Sequence, residues 1–226
     1  MSPDNTIYQI AVWLIPLVIA IVFHEVAHGY VARLLGDHTA ERLGRLTLNP
    51  IRHVDPVGTL AVPMVLALAH APIFGWAKPV PVVAARMRHP RRDMALVALA
   101  GPGTNLVLAT ITVLVAAVSG LNLLAPVSIG FVGDNLSNFL LINVFLAIFN
   151  LMPIPPFDGG HVVEAALPRP LAAQYARLHR YAFPVMLFLL VILPMVAPRA
   201  NVVAQVVGPI ADTIVRGLLM FATALT

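Results

Sequence analysis

His24-Glu25-Val26-Ala27-His28 is the group in this chain whose residue types and spacing are best suited to chemistry. Two histidines four residues apart fall on one face of a helix, where their imidazoles can share one metal ion. The glutamate beside the first histidine is placed to act as a general base. The setting sharpens this reading. Residues Tyr8 to Phe23 are almost wholly apolar, so three ionisable groups follow directly on a stretch that reads as membrane-buried. Ionisable groups at that depth are costly and are functional candidates by default. Two unpaired histidines in hydrocarbon have no stabilising logic, because each unsatisfied polar group there costs several kcal/mol.

A second constellation runs from Asn150 through Met152-Pro153-Ile154-Pro155-Pro156-Phe157 to Asp158-Gly159-Gly160. Its prolines must break the apolar helix that precedes them. Unwound backbone at membrane depth is tolerated where it is buried in protein or lines a water-filled cavity. Asp158 then emerges from a rigid turn at the mouth of a span. With His24 and His28 it makes a set of two histidines and one carboxylate, which leaves a fourth position open in the manner of catalytic zinc. The plain alternative is a turn aspartate before Gly-Gly. Asn150 has two readings: a donor to a substrate carbonyl or oxyanion, or a helix-end residue that bonds freed carbonyls.

Two further stretches stand out. Gly101-Pro102-Gly103-Thr104-Asn105 permits close helix approach, and Asn105 inside an apolar span needs a partner. It serves either as interhelical glue or in direct support of chemistry. Gly75-Trp76-Ala77-Lys78-Pro79-Val80-Pro81-Val82 alternates prolines with Val80 and Val82. One edge of such a strand lacks N–H donors and the other keeps them, which suits pairing with an extended peptide. Equally, Trp76 and Lys78 suit a plain interfacial loop.

These groups must be positioned by membrane helices. The chain has 226 residues, 59% hydrophobic and 11% charged. Soluble domains average about 45–50% apolar and about 25% charged. The mean hydropathy of +0.88 belongs to an integral membrane protein. The fold expected is all-α and polytopic, with five to six transmembrane or re-entrant helices and room for a short edge strand or hairpin near 75–83. The apolar segments are 7–35, 57–74, 94–118, 136–152, 181–198 and 202–225. A single integral-membrane domain spans 1–226, and no nucleic-acid partner is expected. The chain has no cysteine, so any metal site must use histidine and carboxylate.

Charge sets the expected topology. Loops 36–56, 75–93 and 159–180 carry most of the arginines and Lys78, whereas 119–135 carries no basic residue. The positive-inside rule puts the three basic loops in the cytoplasm and the N-terminus outside. Segment 57–74 is then re-entrant, which its short length, Pro63, His70 and Pro72 favour; the alternative is six full crossings with one basic loop outside. The active site is expected near the cytoplasmic side. His38, His53, His89 and His179 fall in loops and are expected to be solvated. His70 and His161 could approach the site, but the ligand set is complete without them.

Taken together, HEVAH, GPGTN and NLMPIPPFDGG resemble the site-2 protease family of intramembrane zinc metalloproteases, in its compact form without accessory domains. The resemblance covers about residues 20 to 165. It implies one Zn²⁺ held by His24, His28 and Asp158, with Glu25 as catalytic base. It implies Asn150, and less directly Asn105, on the substrate or oxyanion. The implied partner is a membrane-protein substrate with a transmembrane segment, met within the lipid bilayer of the cell membrane. A metal-binding transporter or sensor is the alternative class, but such a site does not need a base beside its first ligand.

Overall fold

The computed structural model describes residues 5–68, 75–124, 128–197, 199, 201 and 203–224. Every regular element among these is helical. Asn5 opens α1 (Thr6–Leu34) by accepting from the Ile7 N–H. At 1.5 Å per residue this helix is long enough to cross a hydrocarbon core of about 30 Å. A short helix, α2 (Thr39–Arg42), and a 3-10 turn (Pro50–His53) follow. Asp55 then caps a π-type turn (Pro56–Ala61) that leads into α3 (Val62–Leu68). Pro90 at the first helical position starts α4 (Pro90–Val118). α5 is Phe131–Asn150, and the proline run after it ends the helix.

Four contacts along the chain give the directions of these helices. His28 meets Val97 and His24 meets Asn105, so α1 and α4 are antiparallel. Tyr8 and Val12 meet Asp134 and Asn138, so α5 runs parallel to α1. The HEVAH, GPGTN and FDGG motifs therefore gather at one end of a three-helix core. Tyr8, Ser128 and Asp134 tie the opposite end together. The apolar packing between these ends includes Ala109, Val113, Ala116, Leu140 and Val144, all buried.

The chain re-enters at the site end as α6 (Asp158–Ala166) and α7 (Arg169–Ala176). A 3-10 turn (Arg177–Tyr181) leads to α8 (Ala182–Leu187), and a π-type turn (Phe188–Ile192) leads to α9 (Leu193–Val196). Met186 and Val203 both pack against the cluster of Met152, Phe157 and Val207. From there α10 (Gly208–Thr223) runs toward the far end, where Val215 and Ala222 join the core. Among the described residues, five helical stretches are long and apolar enough to cross a membrane: Thr6–Leu34, Pro90–Val118, Phe131–Asn150, Arg169–Val196 and Val203–Thr223.

Segment 57–74 behaves as a hairpin over its described part. The Trp76 N–H donates to the Gly58 carbonyl at 3.1 Å, and the Thr59 hydroxyl donates to the Trp76 carbonyl. The chain has thus returned to its entry point by residue 76. A Cβ on Gly58 would lie 2.3 Å from the Trp76 ring, so only glycine permits this closure. His70 lies outside the described residues.

The strand considered near 75–83 does not form a sheet. Its polar groups are claimed one by one. The Lys78 N–H donates to the His53 carbonyl, Val80 N–H to Glu25 and Val83 N–H to Asp37, while Arg45 donates to the Lys78 carbonyl. The N–H groups of residues 76, 78 and 80 share one side and turn inward. The prolines at 79 and 81 occupy the other side, which blunts an exposed edge.

Candidate metal centre

The site begins with two residues on one face of α1. His24 and His28 are 6% and 8% exposed, and their Nε2 atoms lie 3.0 Å apart. The His24 Nδ1–H donates to Asn105 Oδ1 at 2.6 Å, and the His28 Nδ1–H donates to the Val97 carbonyl at 2.7 Å. Both partners only accept, so each neutral imidazole carries its proton on Nδ1 and presents a lone pair at Nε2. Two lone pairs facing each other at 3.0 Å repel unless a cation lies between them.

Asp158 completes the triangle from the first turn of α6. Its Oδ2 lies 3.2 Å from His24 Nε2 and 3.3 Å from His28 Nε2. That oxygen is buried without a hydrogen-bond partner. Donor atoms on a tetrahedral zinc ion with bonds of about 2.0–2.1 Å stand roughly 3.3 Å apart, so the triangle fits that ion. The three groups form a candidate metal-binding set of this kind.

The surroundings hold these ligands in place. Asn105 is fully buried; its Nδ2 donates to Asn143 Oδ1 at 2.8 Å and faces the Ala20 carbonyl at 3.4 Å. Both ends of this amide are committed, so Asn105 stands behind His24. Outer groups of this type fix the tautomer and orientation of a ligating imidazole. Asn143, also fully buried, was not singled out from the sequence. The signal was available: an amide in the middle of an apolar span needs a partner.

Gly101 supplies the space. A Cβ there would lie 2.5 Å from His28 Nε2 and 2.7 Å from His24 Nε2. Gly101→Ala is therefore expected to displace both imidazoles and lose bound zinc, at a packing cost of about 1–3 kcal/mol. Elemental analysis of the purified variant checks this. Gly103→Ala, where a Cβ meets open space, should keep its metal.

Glu25 sits between the ligands in sequence and half-buried in space. Its Oε2 accepts from the Val80 N–H at 2.8 Å. This corrects the expectation that Val80 offers a free donor for an incoming strand, since that donor already holds Glu25. Val82 turns its side chain to Ala32, Met87 and Val97. Asn150 donates from Nδ2 to the Leu146 carbonyl one turn back on α5, which is the helix-end arrangement rather than a group aimed at the ligands. The structure thus brings together His24, Glu25, His28, Asp158 and, one layer behind, Asn105.

The comparisons agree with this geometry. The model for peptidase family M50 matches residues 129–193. A Bacillus subtilis protein named putative zinc metalloprotease YwhC is 39% identical over 79% of this chain and 79% of its own length. The Mycolicibacterium smegmatis protein named putative zinc metalloprotease Rip2 is 31% identical over 82% of this chain and 67% of its own. Its namesake from Mycobacterium tuberculosis is 34% identical over 85% of this chain and 68% of its own. No solved structure matches.

Proposed function

The chain belongs to the site-2 protease family, peptidase family M50, and from that premise we propose that it hydrolyses peptide bonds in or near transmembrane segments of other membrane proteins. The observation that carries this reading is the convergence of His24 Nε2, His28 Nε2 and Asp158 Oδ2 on one point, with the Glu25 carboxylate on the same helix. The whole of residues 1–226 acts as one membrane domain.

In this reading His24, His28 and Asp158 hold one zinc ion. When bound, zinc supplies a Lewis acid for the scissile carbonyl and makes water more acidic. Glu25 takes a proton from water as the water oxygen bonds to the carbonyl carbon. It then returns that proton to the amine as the C–N bond breaks. The Val80 N–H holds one carboxylate oxygen of Glu25 and so aims the other. A substrate helix hides its carbonyls in its own hydrogen bonds and must unwind locally to reach these groups. The remaining expectation for Asn150, an oxyanion donor, falls to the second N–H of its Nδ2, since the first is held by the Leu146 carbonyl.

Co-expression with a library of single-span proteins tests the proposal. Proteomics should find fragments cut near apolar segments with the wild type and not with His24→Ala. Identical fragment sets would refute it.

The site end is proposed to face the cytoplasm, because the basic loops 36–56, 75–93 and 159–180 all lie there. Cysteine labelling is clean in a chain with no native cysteine. Single cysteines at Ser128, Arg88 and Arg169 should divide under an impermeant reagent on intact cells. Ser128→Cys should label, and the other two should not. Labelling of Arg88→Cys alone among the basic loops would mean that segment 57–74 crosses fully, and labelling of both basic-loop cysteines without Ser128→Cys would invert the assignment.

A further inference from the structure

A second group of metal-binding side chains stands one helical turn beyond Asp158. His161 and Glu164 lie three residues apart on α6, so they share a face. His179 comes to them from the 3-10 turn Arg177–Tyr181. The His161 and His179 rings stack with centroids 5.0 Å apart, and His179 Nε2 lies 3.3 Å from Glu164 Oε2. One donor atom from each of the three falls within 4.8 Å of the others, and all three residues are half-buried.

The frame around the group is well anchored. Arg91, from the first turn of α4, donates to the Glu164 carbonyl at 2.7 Å and to the Leu167 carbonyl. This fixes the end of α6 that carries Glu164. Burial, and then the neighbouring His179, push the His161 imidazole below its ordinary value, so it is neutral and its lone pair is available. Neither histidine has a part in the catalytic set, and the expectation of a merely solvated His179 does not account for the pairing.

We propose that His161, Glu164 and His179 form a second, weaker site for a divalent transition-metal ion, which fastens α6 to the 177–181 turn. The donor set is two imidazoles and one carboxylate, which suits zinc and its neighbours rather than calcium or magnesium. Closing the ligands from their present spread onto one ion draws the turn toward the helix whose first residue is Asp158. Occupancy of this site therefore bears on how firmly the catalytic carboxylate is held.

The test is a zinc titration of tag-free, full-length protein in detergent, by equilibrium dialysis. Wild type should saturate at about two ions per chain, one held tightly and one weakly. His179→Ala and Glu164→Gln should lose the weak equivalent and keep the tight one. Asp158→Ala should do the reverse, so failure of this site and failure of the catalytic site are distinguishable. Cobalt titrated in place of zinc should show a second absorption change in wild type that His179→Ala removes. Saturation of wild type at one ion would overturn the proposal, as would a weak equivalent that persists in both His179→Ala and Glu164→Gln.

Discussion

Glu25→Gln should retain zinc and fold but lose cleavage by about 10²- to 10⁴-fold, the range typical of a positioned proton-transfer group. Gln is nearly isosteric, and its side-chain oxygen can still accept from the Val80 N–H that now meets Oε2 at 2.8 Å. The local packing is thereby kept while the proton acceptor is removed. Neither metal ligand is altered, so zinc content separates this variant from one that has lost its site. A variant that cleaves at the wild-type rate would remove Glu25 from the mechanism.

Asp158→Ala should drop the tightly bound zinc to a small fraction of the wild-type content, with activity falling to background. Two imidazoles alone make a poor site, and their Nε2 atoms stand 3.0 Å apart with no negative charge beside them. Asp158→Asn, which cannot supply the anion, should lose metal in the same way. Full zinc occupancy in either variant would sink the ligand assignment.

The candidate ligands could be read from the sequence because each sits in a local pattern with its own physical meaning. The i, i+4 histidines need only a helix to share a face, and the proline run before Asp158 needs only the end of a span. The helical class followed from the length of the apolar runs. The expectation that 57–74 turns back rested on charge, since three basic loops cannot share a side if it crosses, and the bond from the Trp76 N–H to the Gly58 carbonyl fits that expectation. What was not legible depends on long-range register. Asn105 reaches His24 across 81 residues of sequence, and only the antiparallel packing of α1 on α4 places it behind the imidazole. The same register brings Gly101 against both ligands, a demand for absent volume that no spacing rule announces.

The stretch 75–83 shows the opposite failure. Its alternating prolines gave a sound reading of which side keeps N–H donors. The partners of those donors, Glu25, Asp37 and the His53 carbonyl, come from α1 and the loop after it and could not be read locally. His179 was assigned to solvent for a similar reason. Its partners His161 and Glu164 lie on α6, and a helix separates them from the turn that carries His179.

The central claim is that these side chains, with zinc, cut peptide bonds at membrane depth. The most direct measurement reconstitutes the purified chain in liposomes with a single-span substrate found in the co-expression screen. Mass spectrometry then locates the bond that is cut. The account predicts cleavage within or at the edge of the apolar segment, loss of cleavage with a chelator and recovery when zinc is returned. Cleavage that persists through chelation, or that falls only in loops remote from the bilayer, would contradict it.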